Sequence, residues 1–224
     1  MIKVEHIETF NWEGAVRGLR NPLNSWNKSD SYMCYAKHCD GCKHKTENCW
    51  KTPDGIVIGK NDLSLMRTLY KAGNEHRKYL RQIFVSMDIT SHHIFWSEFD
   101  TYKIGVTRNS CSKMHRIHVK SFEKDDFSHE GIDECGGRTE EVFNIVLEEL
   151  ERLRVLFNET KEKKYWRAML ELLPQGYNLK ATVSMNYENV MNIINQRSNH
   201  KLFEWREFCD ILLDLPYIKE IIKE

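Results

Sequence analysis

The stretch Leu173–Phe208 reads LPQGYNLKATVSMNYENVMNIINQRSNHKLFEWREF, and its reading decides the fold. Pro174 should end the segment before it, because the residue preceding a proline is pushed out of helical backbone. Beyond Pro174, apolar residues at helical spacing predict a helix over 183–196 and another over 203–213. Asn186 and Asn192 fall on the first of these, Arg197 stands at its end, and His200 follows. Taken singly, each asparagine or arginine fits an ordinary solvated face. Taken together, two carboxamides and a guanidinium aimed from one helix into one pocket would offer both donors and acceptors to a flat heterocycle.

Working outward, the segment from about 161 to 173 reads as a helix that stops at Pro174. Upstream of it, Thr139 reads as the cap of a long helix, with Glu140 and Glu141 in its first turn where they suit the helix dipole. The expected buried stripe of that helix is Val142, Ile145, Val146, Leu150 and Leu153. Ile83, Val85, Met87 and Ile89 alternate with Phe84, Ser86 and Asp88, which is a strand period. Ile94-Phe95-Trp96 is a short apolar piece, and 104–119 reads as loop or strand. Asn61-Asp62 reads as a cap before Leu63, Met66, Leu69 and Tyr70, with Gly73 ending that helix. Trp12–Arg20 reads as a short helix stopped by Asn21-Pro22. The pattern is an α/β (α+β) chain with a small central sheet flanked by helices.

Composition bounds the function. The chain has 224 residues, 33 Lys+Arg against 33 Asp+Glu, and so no net charge. A strongly basic footprint, the usual electrostatic mark of nucleic-acid binding, is absent, so no nucleic-acid partner is expected. No apolar run reaches the length of a membrane span or of a signal-peptide core, so no membrane partner is expected. Seven cysteines, an odd number, fit reduced thiols and a cytoplasmic location. One domain over 1–224 is expected, carrying a Cys-rich insertion at about 33–56.

With these residues laid out, the 173–208 window resembles the C-terminal signature of the flavin-dependent thymidylate synthases. The match runs without a gap from Leu173-Pro174 through Asn186 and Asn192 to Arg197. One residue is missing before His200, and Glu204 and Arg206 then resume the pattern. Ala15-Val16-Arg17 and Leu69–Glu75 (LYKAGNE) echo earlier segments of the same family, and the order of elements follows it along most of the chain. The family's Arg-His-Arg element, with a Ser seven residues on, stands here as Thr101-Tyr102-Lys103. The spacer lands on Cys111, flanked by Ser110 and Ser112. Two further family arginines are Leu170 and Glu188 here. Arg forks bind phosphate bidentately and Lys does not. Grip on cofactor and nucleotide phosphates would therefore rest on other residues, for which Arg108, Lys113, His115 and Arg116 are neighbouring candidates.

The resemblance implies a reaction and a site. Deoxyuridylate would be methylated to thymidylate, with FAD as cofactor and methylenetetrahydrofolate and NADPH as co-substrates. Arg197 would lie against the pyrimidine and stabilise charge developing on it. Asn186, Asn192 and His200 would contact the flavin, and Ser112 and Lys103 would join Arg197 in holding the nucleotide. The family's homotetramer, with active sites built from several chains, is implied as well. Two alternatives stand beside this reading. The chain acts on another pyrimidine nucleotide, or it is a non-catalytic nucleotide-binding descendant, the latter favoured by Glu188 because a carboxylate repels phosphate.

Two other features remain. Cys39 and Cys42 have zinc-knuckle spacing, with Cys34 and Cys49 outside them and His38 and His44 close by. A structural zinc tetrahedron and a loop of reduced thiols both fit this pattern, and it lacks a second paired half. His92-His93 and His115 with His118 lack the carboxylate spacing that completes a metal site, so no metal ligand is assigned there. Cys111 fits a small buried thiol better than a nucleophile, since no base is apparent for it.

Overall fold

A computed structural model describes residues 1–34, 52 and 54–223. Cys39, Cys42, Cys49, His38 and His44 lie outside the described residues, and the zinc expectation lies outside with them. The elements in chain order begin with β1 (Ile2–Phe10), α1 (Trp12–Arg20), the short pair β2 (Tyr32–Met33) and β3 (Ile56–Val57), α2 (Lys60–Lys71) and β4 (Phe84–His92). They continue with α3 (His93–Phe99), β5 (Thr107–Ser110), α4 (Lys113–Arg116), α5 (Glu130–Cys135), α6 (Gly137–Thr160) and α7 (Lys163–Leu172). The chain closes with β6 (Asn178–Asn186), α8 (Tyr187–Arg197), α9 (Phe203–Leu213) and α10 (Ile218–Ile222). Four strands form one sheet in the order β1-β4-β6-β5, and β2 pairs antiparallel with β3. This is the mixed helix-and-sheet architecture expected.

The principal correction falls inside the opening stretch. Residues 178–186 form a strand, and α8 begins only at Tyr187. Ala181, Val183 and Met185 are buried while Thr182 and Ser184 are exposed, the period of two that a pleated strand imposes. The helical spacing read over 183–196 belongs to 187–196 alone. Phe203–Leu213 is the helix expected.

Smaller corrections have local causes. Ile94-Phe95-Trp96 lies within α3, whose Phe95, Trp96 and Phe99 are buried together. The long helix α6 starts at Gly137 rather than at a Thr139 cap. Its buried face carries Phe143, Leu150 and Leu153, while Val142 and Ile145 are 50% and 62% exposed. The start of α2 is capped from a distance. The Asp30 carboxylate accepts from the backbone N–H of Asn61 (2.9 Å) and of Asp62 (3.1 Å), and the Asp62 side chain turns inward. As expected, Gly73 follows the end of that helix with φ +100°, a conformation only glycine adopts cheaply.

The described chain divides into two compact units. The first comprises Met1–Lys3, Asp88–Thr101 and Arg108–Thr182, and the second Val4–Met87, Tyr102–Thr107 and Val183–Glu224. The first is held by Ile117, Phe127, Phe143, Leu150, Leu153 and Met169, with α6 packed on α7. Phe127 meets Phe143 edge-on at 5.5 Å, the geometry the ring quadrupoles favour. In the second, fully buried Trp12 meets Tyr187 edge-on at 5.0 Å and Tyr217 at 5.6 Å. Both phenols are satisfied. The Tyr187 hydroxyl donates to Pro216 O, and that of Tyr217 accepts from Ile58 N–H. An ion pair is buried in the same unit, with Arg20 Nη2 2.7 Å from Asp62 Oδ1.

Candidate functional site

The second unit holds the residues singled out on α8. Asn186 is the N-cap of that helix. Its Oδ1 accepts from Asn189 N–H (3.1 Å), and Asn189 Oδ1 accepts from Asn186 N–H (3.3 Å). This capping box satisfies two donors that a helix start otherwise leaves unpaired. Asn189 also donates through Nδ2 to Ile104 O (2.8 Å). Gly105 sits against the pair with φ +75°, and a Cβ there would stand 2.8 Å from Asn186 Nδ2.

At the other end of α8, Arg197 lies in an aromatic frame. Its guanidinium carbon is 4.7 Å from the Trp205 ring centre and 5.8 Å from that of Tyr102. Its Nε donates to the Tyr102 hydroxyl at 3.1 Å. That hydroxyl donates in turn to Gln196 Oε1 at 2.9 Å. His200 lies edge-on to Trp205 at 6.2 Å, and its Nδ1 accepts from Leu202 N–H (3.2 Å). In the neutral ring this places the proton on Nε2 and makes that edge a donor.

Arg197 and His200 are thus brought together around Trp205, and Asn186 is not with them. Asn186 stands about 16 Å from Arg197 along the helix axis, and Asn192 is turned about 120–140° away from both around that axis. Asn192 Oδ1 accepts from Arg77 Nη2 at 3.3 Å. Lys103 is exposed. Ser112, in the first unit, is exposed and caps α4 by accepting from His115 N–H at 3.3 Å.

Glu188 has a role the sequence did not reveal. Its carboxylate takes two hydrogen bonds from the Arg81 guanidinium and lies 3.5 Å from Arg77 Nε. Arg77 also stacks on Tyr70 at 5.5 Å. Two guanidiniums share the Glu188 carboxylate, and Glu75 also acts on Arg81, so the Glu188 charge is compensated where the bare residue reading expected repulsion of phosphate.

The first unit contains a cavity of about 230 Å³ lined by His93, Trp96, Asp100, Arg108, Cys111 and Lys113 among others. Arg108 lies over the Trp96 ring at 4.8 Å and pairs with Asp100 at 3.0 Å. Lys113 Nζ is in hydrogen-bonding contact with His93 Nε2. Burial lowers the His93 pKa, and the positive charge of Lys113 and then the neighbouring His92 and Arg108 lower it further. Burial and then Arg108 lower that of Lys113. Packing three nitrogen bases around one carboxylate disfavours each added proton, and a bound anion relieves that repulsion. The cavity is therefore suited to a phosphate-sized anion. Arg108 and Lys113 were legible as candidates. His93, Trp96 and Asp100 were not, because no sequence spacing links α3 to residues 108–113. Cys111 is exposed rather than buried.

Among the described residues, no cluster of three or more His, Cys, Asp or Glu side chains could hold a metal ion. No described helix is long and apolar enough to cross a membrane.

No protein-family model and no curated protein matches the sequence at a significant level. Solved structures do match. The flavin-dependent thymidylate synthase ThyX of Helicobacter pylori, complexed with FAD and dUMP, aligns with a TM-score of 0.65 at 19% identity, covering 99% of this chain and 98% of that one. A second structure of ThyX from that organism, also with FAD and dUMP, aligns with a TM-score of 0.64 at 19% identity, covering all of both chains. This chain has the flavin-dependent thymidylate synthase fold. The flavin-dependent thymidylate synthase likeness spans the chain end to end, so it accounts for the whole architecture and not for a fragment of it.

Proposed function

We propose that the chain is a divergent flavin-dependent thymidylate synthase that methylates deoxyuridylate to thymidylate. The observation that carries the reading is the end-to-end fold likeness to enzymes solved with FAD and dUMP. Bound FAD would supply the hydride step, with methylenetetrahydrofolate giving the carbon unit and NADPH the electrons.

The side-chain chemistry present suits a flavin and a nucleotide, although α8 does not bring Asn186, Asn192 and Arg197 to one point. Asn186 and Asn192 use their Oδ1 atoms within the chain, which leaves amide N–H groups suited to ring acceptors. His200 carries its proton on Nε2, for the tautomeric reason given above. Arg197 is oriented by an aromatic frame, as a group stabilising charge on a pyrimidine must be. The cavity at His93, Arg108 and Lys113 is suited to an anion the size of a phosphate group. Ser112 and Lys103 are assigned to the nucleotide as well. A homotetramer and a cytoplasmic location complete the proposal.

A second reading, action on another pyrimidine nucleotide, is favoured by Thr101-Tyr102-Lys103 and by Leu170. One experiment separates the two. Purified protein is supplied with FAD, and its absorbance and thermal stability are read against a panel of nucleotides. Flavin retention with largest stabilisation by deoxyuridylate is expected. Retained flavin with a different preferred pyrimidine would transfer the proposal to the second reading. A colourless protein that takes up no flavin would end both.

A further inference from the structure

We infer that Tyr102 is a positioning residue for Arg197: its hydroxyl fixes the guanidinium edge that faces the substrate ring. The inference rests on the reading of Arg197 as a pyrimidine-contacting group, and it assigns a role to a residue found where the family resemblance leads one to expect histidine.

Arg197 has several torsions and would sample many directions if only its charge were attracted. Among its contacts, three bear on this. Trp205, fully buried and therefore fixed, lies against one face of the guanidinium at 4.7 Å. The Tyr102 ring, tilted 54° to Trp205 with centres 6.0 Å apart, closes a second side. Face contacts alone leave a guanidinium able to turn in its own plane, and the Tyr102 hydroxyl removes that freedom. It accepts from Nε at 3.1 Å and has one proton, which goes to Gln196 Oε1 at 2.9 Å. The donor sequence is therefore Arg197 to Tyr102 to Gln196, and it runs one way because arginine cannot accept. Gln196 immediately precedes Arg197 on α8, so the clamp is anchored on the helix that carries the guanidinium.

Tyr102→Phe keeps the ring and removes the hydroxyl. Deoxyuridylate turnover is measured with FAD, methylenetetrahydrofolate and NADPH supplied. The variant is expected to lose about tenfold in kcat, the scale of one hydrogen bond to a charged group, with KM for deoxyuridylate nearly unchanged. In an Arg197→Lys background the same change should cost nothing further, because the clamp then has no guanidinium to hold. An unchanged kcat, or losses that multiply in the double variant, would overturn the inference. The clamp is also read without turnover, from the Arg197 Nε–H resonance in ¹⁵N-labelled protein. Slow hydrogen exchange in the wild type and fast exchange in Tyr102→Phe is expected, and equal exchange in the two overturns the clamp. Wild-type protein that neither binds nor turns over deoxyuridylate would instead bring down the underlying reading, whatever the resonance shows.

Discussion

Arg81 grips the carboxylate of Glu188 with two guanidinium nitrogens, and the grip joins the 3-10 turn at 78–82 to the first turn of α8. With Arg77 near the same Oε1 that Arg81 Nη2 reaches, Glu188 is the counter-ion shared by two guanidiniums, and both side chains of the Arg77 pair are nearly buried, at 12% and 14% exposure.

Removing the carboxylate takes the shared counter-ion from two neighbouring guanidiniums, while Arg77 keeps its contacts with Asn192 and Tyr70. Glu188→Gln should cost about 2–3 kcal/mol, below the full scale for a broken buried pair because Arg81 is half exposed. Glu188→Arg, which installs the family's residue, should cost more. Adding Arg81→Glu to the latter should recover part of the loss. Urea midpoints of the set check this, and a Glu188→Gln variant as stable as wild type would refute the counter-ion role.

Asp62 is the buried hub of the second unit. Burial alone would raise its pKa, but hydrogen bonds from Ser31, Ser29 and Arg20 outweigh that, and the net shift is downward. A carboxylate held down in this way adds stability that is complete above the ordinary Asp value of about 4 and is lost as pH falls through the folded-state value. Asp62→Asn should therefore be destabilised strongly at neutral pH, by about 3–5 kcal/mol, with the gap from wild type closing in acid. A gap that stays constant with pH would show that the charge is immaterial.

His93 should titrate below the ordinary histidine value of about 6.5, for burial and Lys113 both oppose its protonation. Its contribution to stability is then present above that value and lost as pH falls below it. Lys113→Met should move the His93 midpoint upward by removing the facing charge, and so should inorganic phosphate. Ring-proton NMR reads both shifts. A midpoint indifferent to Lys113 and to phosphate would remove the anion cavity from the functional proposal.

The described cysteines should separate by reactivity. Burial, and then the neighbouring Asp210, pushes the Cys209 thiol up to about 11, and its Sγ lies against Ile193 O. Cys111 and Cys135 are exposed. Brief iodoacetamide treatment of native protein, followed by peptide mass spectrometry, should mark Cys111 and Cys135 first and Cys209 only after unfolding. Early marking of Cys209 would mean that α8 and α9 do not stay packed over it.

Short-range signals made part of the fold legible. Ala15, Val16 and Leu19 define α1, Gly73 ends α2, Pro174 bars α7, and Phe203–Leu213 is α9, because each depends on spacing or on one backbone's allowed angles. The window from Leu173 to Phe208 likewise carried the family likeness that the fold bears out.

Tertiary structure decided the rest, for one physical reason: burial and pairing act through space and leave no mark on local spacing. Ala181, Val183 and Met185 became a strand because β4 and β5 pair alongside, overriding the helical pattern just downstream. The buried face of α6 turned toward Phe143 because Phe127 waits there, and Val142 was left in water. Glu188 changed from an expected repeller of phosphate into a clamp on two arginines. The cavity at His93, Arg108 and Lys113 exists only where three separate elements meet, a fact no single segment could encode.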